Sequence, residues 1–79
     1  MLNRRNSEIE EILTREMVRH PVAWPPGEAL CLKRRRCDHV EHGRIYSNDP
    51  YDGCRVHQNG TVHVFPNVDQ MIRAGWVIA

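Results

Sequence analysis

The chain has 79 residues, 41% of them apolar and 27% charged, with a formal net charge of +1. That length makes one domain, residues 1–79, with no room for a second core, and the composition is that of a folded chain rather than a disordered one. Near-neutrality excludes a whole-molecule field that recruits nucleic acid, and no run approaches the ~20 apolar residues of a membrane span. Three cysteines without an apolar leader point to reduced thiols in a cytoplasmic chain with no membrane association.

Ser7-Glu8-Ile9-Glu10 opens the first predicted helix as a capping box, in which the Ser7 hydroxyl accepts from the Glu10 backbone N–H and the Glu10 carboxylate reaches back. Ile9, Ile12, Leu13 and Met17 recur at helical spacing as the expected buried face. Arg15 and Arg19 fall late, where the helix dipole favours cations, and Pro21 sets the end. Residues 22–27, with Trp24-Pro25-Pro26-Gly27, read as a stiff extended connector. Ala29-Leu30-Cys31-Leu32 reads as a short buried strand that emerges into solvent at Lys33-Arg34-Arg35-Arg36. Residues 44–47 read as another short strand, and Asn48-Asp49-Pro50-Tyr51-Asp52-Gly53 as a loop.

Residues 54–65 form a predicted β-hairpin around Asn59-Gly60. A two-residue loop sets Val56 opposite His63 and Val62 opposite His57, which mixes polar and apolar side chains on both faces. A three-residue loop, Gln58-Asn59-Gly60 with a bulge at Gly60, pairs Val56 with Val62 and Cys54 with Val64. It leaves Arg55, His57, Thr61, His63 and Phe65 on the other face, and it is the expected register. Asn67 caps a second, shorter helix, with Gln70 in the capping-box position, Val68, Met71 and Ile72 as its apolar stripe and Gly75 as its C′ residue. Trp76-Val77-Ile78-Ala79 reads as a final strand or docked tail. The fold class implied is α+β, a small single domain: an N-terminal helix, an antiparallel sheet containing the Asn59-Gly60 hairpin, and a short second helix near the C-terminus, both helices covering one sheet face.

Cys37, His39, His42, Cys54 and His57 form Cys-x-His-x-x-His followed by Cys-x-x-His, an inventory suited to tetrahedral zinc. Cys37, His39, Cys54 and His57 are the candidate ligands; beyond zinc, the sequence implies no cofactor. A strand at residues 54–57 argues the other way, because residues three apart on a strand point to opposite faces. The same stretch resembles the HNH nuclease motif: Cys37-Asp38-His39-Val40 is similar to the family's Asp-His-aliphatic signature, Asn48 to its central Asn, and residues 54–57 to its Cys-x-x-Cys-His end. That resemblance implies His39 as the general base that activates water and His57 as a metal ligand. It covers residues 37–57 and departs from the family at Val56, where a cysteine is expected, and after His57, where the family has a helix.

Lys33-Arg34-Arg35-Arg36, followed by Arg44 and Arg55, is a candidate phosphate- or acid-contacting patch. On an extended strand the run splits, Lys33 and Arg35 to one side and Arg34 and Arg36 to the other. The outer hairpin face adds Arg55, His57 and His63, a composition resembling that of interaction surfaces. Trp24 and Trp76 read as core or interface anchors. Cys37 beside His39 is the nearest approach to a nucleophile with a base and has no oxyanion hole, and no phosphate-binding glycine loop is present. The favoured reading is a small non-enzymatic interaction module, a regulator or inhibitor, that uses Lys33, Arg34, Arg35, Arg36, Arg55, His57 and His63 to bind a macromolecular partner, a protein ahead of a nucleic acid. A second reading is a zinc-stabilised nucleic-acid-binding protein, and a third an HNH-like metal-dependent nuclease.

Overall fold

The computed structural model describes residues 7–20, 24, 29–47, 49 and 51–79. Apart from Trp24, the expected connector over residues 22–27 lies outside the described residues, as do positions 48 and 50 of the expected loop. Helix α1 (Glu8–Arg19) opens with both halves of the capping box: Ser7 Oγ accepts from the Glu10 N–H at 3.1 Å and Glu10 Oε1 accepts from the Ser7 N–H at 3.0 Å. Strands β1 (Ala29–Arg35), β2 (Val40–Tyr46), β3 (Cys54–Gln58) and β4 (Thr61–Phe65) follow, then α2 (Val68–Arg73) and β5 (Trp76–Ile78). The five strands form one sheet in the order β4-β3-β2-β1-β5, with every neighbour antiparallel. Strands β1 and β2 are longer than expected, because the basic run and its opposite residues stay in register, with Lys33 facing His42, Arg34 facing Glu41 and Arg35 facing Val40.

The inner face of the sheet is the core. Leu30, Leu32, Ile45, Cys54 and Val56 are buried there, and α2 adds Met71 above them. Asn67 Oδ1 caps α2 by accepting from the Gln70 N–H at 2.9 Å, and Gly75, the expected C′ residue, has φ +105°. Trp76 of β5 is fully buried and reaches across β2, where a Cβ on Gly43 would stand 3.2 Å from the indole and 2.6 Å from Val56 Cγ1. Only a residue without a side chain lets the ring and the valine lie there together. The Arg34 guanidinium closes over the indole 4.6 Å from its centre, and His63 meets it from β4 at 5.8 Å. The indole N–H has no acceptor among the described residues, so shape and burial hold the ring in place.

Two expectations need correction. The first is the apolar stripe of α1: Ile9, Ile12 and Leu13 remain exposed, at 69%, 51% and 46%. The helix turns Glu10, Thr14, Met17 and Val18 toward the fold instead, because it packs on the β5 edge and on α2 rather than across a sheet face. Thr14 decides this. Fully buried, its hydroxyl donates to the Glu10 carbonyl at 2.6 Å and accepts from the outward N–H of Ile78 at 3.0 Å, closing the sheet edge. Trp24 anchors the other end of the helix, its indole N–H donating to the Met17 carbonyl.

The second is the hairpin register. The loop has two residues, with Gln58 opposite Thr61, Val56 opposite His63 and Cys54 opposite Phe65. Asn59 at φ 46° and Gly60 at φ 82° both occupy the left-handed region, the type I′ turn whose twist matches its flanking strands. A one-residue change of loop length flips every β4 side chain. His63 and Phe65 therefore face inward, and Val62 and Val64 outward.

Gly43→Ala drives a methyl into Val56 and the indole and is expected to cost about 1–3 kcal/mol, read as a lower urea midpoint. Thr14→Val keeps the shape but strands the Ile78 N–H, with an expected loss of about 1–3 kcal/mol, whereas Thr14→Ser keeps the bond and loses a methyl's worth of packing, about 1 kcal/mol. Equal melts for the two Thr14 variants would show that the edge bond contributes nothing.

Candidate functional site

The outer face of the sheet is open across β1–β4, whereas at β5 its residue Val77 is fully buried. Strand alternation puts Cys31, Lys33 and Arg35 of β1, Val40, His42, Arg44 and Tyr46 of β2, Arg55 and His57 of β3, and Val62 and Val64 of β4 on it. Cys31, Arg44, His57 and Val62 stand directly opposite one another across four strands. The Tyr46 ring meets His57 edge-on, with centroids 5.0 Å apart. Together with His42 these residues line an open groove of about 770 Å³.

Charge is distributed unevenly between the two faces. Glu41 is the single carboxylate on any of the five strands, and it points inward, where it accepts from Arg34 Nε at 2.7 Å and Arg36 Nε at 2.9 Å. Beside the outer face, Glu10 of α1 takes Arg35 through two bonds of 2.9 and 2.8 Å and Lys33 at 3.0 Å. Arg55 meets Asp49 at 3.4 Å and lies over the Tyr51 ring. Arg44 is exposed and has no carboxylate among the described residues.

These pairings rearrange the expected partner-binding set. Arg34 is not a surface contact: its side chain is 12% exposed, held between Glu41 and the Trp76 ring. Arg36 shares Glu41, while Lys33 and Arg35 share Glu10. Every cation of the four-residue basic run is thus paired, and the two carboxylates that strand pairing and α1 bring to it offset half of its charge. Arg55 and His57 do lie on the open face. His63 lies on the other, its ring nitrogen 2.8 Å from Gln58 Oε1 and its ring against Trp76. Arg44, Tyr46, His42 and Val62 complete the groove; the period-two alternation of β2 would have placed the first three on one face had its start at Val40 been read.

The candidate metal ligands are not brought together. Cys54 is buried on the inner face and His57 lies on the outer, while Cys37 and His39 sit in the turn between β1 and β2. Among the described residues no group of three or more His, Cys, Asp and Glu side chains could hold a metal ion. Burial pushes the Cys54 thiol up, which keeps it protonated. His39 contacts Asp38 and stands about 16 Å along β2 from Arg44, the residue facing His57. A strand, β4, occupies the place where the nuclease resemblance calls for a helix.

Both hub carboxyls are held below their ordinary value of 4.5, Glu10 by its bonds to Arg35 and the Ser7 N–H, and Glu41, at about 2, first by its bond to Arg34. Each therefore stabilises the fold fully above about pH 4.5 and loses that contribution as pH falls toward its folded value. The urea midpoint should drop between about pH 5 and pH 3, and Glu41→Gln should flatten that slope. An unchanged slope in both Glu41→Gln and Glu10→Gln would place the acid sensitivity elsewhere.

No helix among the described residues is long and apolar enough to cross a membrane. Comparison with known proteins finds no family model, no curated protein and no solved structure that matches this chain.

Proposed function

We propose that this protein is a non-catalytic interaction module, a small regulator or inhibitor, whose open sheet face binds an acidic protein surface. The observation that carries this reading is a face with no carboxylate on its strands and, at its centre, a cation without a carboxylate partner among the described residues, Arg44. Arg and Tyr are enriched at protein interfaces and dominate their energetics, and Arg44 and Tyr46 flank the groove here with His57 between them. Val62 and Val64, 45% and 57% exposed at the β4 end, add apolar area that suits a protein better than a phosphate chain. Nucleic acid would ask more of this face. Stacking needs several exposed aromatic rings, and Tyr46 is the one aromatic ring on the outward side of the strands besides the histidines.

Acidic partners are steered by such a face, so charge changes should act mainly on the association rate. The test is fluorescence anisotropy with two probes of matched charge, a Glu/Leu peptide and an oligothymidine, against the wild type and Arg44→Glu. The peptide is expected to bind the wild type and to lose about tenfold in affinity with Arg44→Glu, the difference shrinking above about 0.5 M salt, while the thermal melts coincide. Binding of the oligonucleotide alone, with a steep salt slope, would transfer the face to nucleic acid. Indifference to Arg44→Glu would reject it as the binding surface.

A further inference from the structure

The two edges of the sheet are treated differently. At β5, the buried Thr14 hydroxyl takes the outward Ile78 N–H and α1 covers the strand. At β4 nothing comparable occurs among the described residues. In a hairpin with a two-residue loop the residues flanking the turn exchange both backbone bonds, so Thr61, His63 and Phe65 are bonded to β3 and the N–H and C=O groups of Val62 and Val64 point outward. Neither residue has a partner for those groups among the described residues. Proteins blunt such edges with lysine, proline, bulges or inward charges. Within Thr61–Phe65 there is no Lys, Arg, Asp, Glu or Pro, and the ladder is regular throughout.

The strand is also self-complementary. Thr61-Val62-His63-Val64-Phe65 is close to a palindrome about His63. An antiparallel copy placed on a two-fold axis at His63 sets Val62 of each chain opposite Val64 of the other. Four backbone bonds then form from the outward groups of those two residues, and four valines cluster on the outer face. Sliding the copy by two residues in one direction brings in Pro66, which has no N–H, and in the other it loses a valine pair. The strand carries no Lys, Arg, Asp or Glu, and the flanking Arg55 and His57 rows of the two copies are separated by about 14 Å, beyond the ~8 Å Debye length at physiological salt. We infer that β4 pairs with β4 of a second copy of this chain, giving a symmetric dimer with a continuous ten-stranded sheet. Its open faces lie side by side, and the dimer does not depend on the acidic-partner reading.

Sedimentation equilibrium from about 10 µM to about 1 mM tests it. The mass should rise from the 9.2 kDa of one chain toward twice that value with increasing concentration. The Val62 and Val64 amides should become protected from exchange over the same range. Val62→Lys/Val64→Lys and Val62→Glu/Val64→Glu, both at exposed positions, should each fold with an unshifted circular dichroism spectrum and remain monomeric. Their equimolar mixture should dimerise, because the register sets each lysine opposite a glutamate. Arg44→Glu should leave the dimer unchanged, which separates this inference from the binding reading. A wild type that stays monomeric throughout, a double-lysine variant that still dimerises, or a mixture that does not would each overturn it.

Discussion

The fold depends on one piece of packing, the Trp76 indole crossing the sheet above Gly43. A ring of that size at the centre of so small a core contributes on the order of 3–5 kcal/mol, a large part of the stability such a domain has. Its position constrains everything around it. Residue 43 can carry no Cβ, Arg34 must fold back over the ring, and the inward residue of β4 that meets it is His63. Because β5 pairs with β1 at Arg34 and Trp76, the chain's last strand places the side chain that orders its first four. Cys54 and Val56 of β3 and Met71 of α2 belong to the same buried cluster as the ring.

The same packing sorts the charges. With Arg34 committed to the core, Glu41 is drawn inward and takes Arg36 as well. On the other side α1 docks with Thr14 on the β5 edge, which brings Glu10 to Lys33 and Arg35 while it still completes the Ser7 capping box. The run of four cations is therefore divided between two carboxylates on opposite faces, each of which ties two of them into the fold. The cation outside the run, Arg44, set among Tyr46, His42 and His57, has no carboxylate partner among the described residues. Exposed ion pairs contribute little each, but both hubs are at most about one-fifth exposed and are shared between two cations, a geometry that fixes where α1 and the β1–β2 pair lie.

Much of the local structure was legible in the sequence. The capping box at Ser7 and Glu10, the Asn67 cap, the Gly75 stop and the hairpin at Asn59-Gly60 all involve groups within a few residues of one another. The apolar stripe of α1 misled because periodicity measures what a helix can bury, not what it meets. Thr14, a residue of weak helix propensity, outweighs Ile9, Ile12 and Leu13 by satisfying a strand edge 64 residues away. The register of β4 misled for a related reason. Matching valine to valine ignored that Trp76, arriving from the far edge, gives a histidine a place inside.

The sequence by itself determined the α+β class, the helix boundaries and the position of the hairpin, since caps and turns are fixed by hydrogen bonds and backbone preferences that act over three or four residues. Tertiary structure alone decided which side chains face out. Strand register, the docking of α1 on β5 and the pairing of Lys33 and Arg35 with Glu10 and of Arg34 and Arg36 with Glu41 all rest on contacts between distant segments. Those pairings follow from how the Trp76 ring and the Ile78 N–H find partners in space, and no local pattern encodes them.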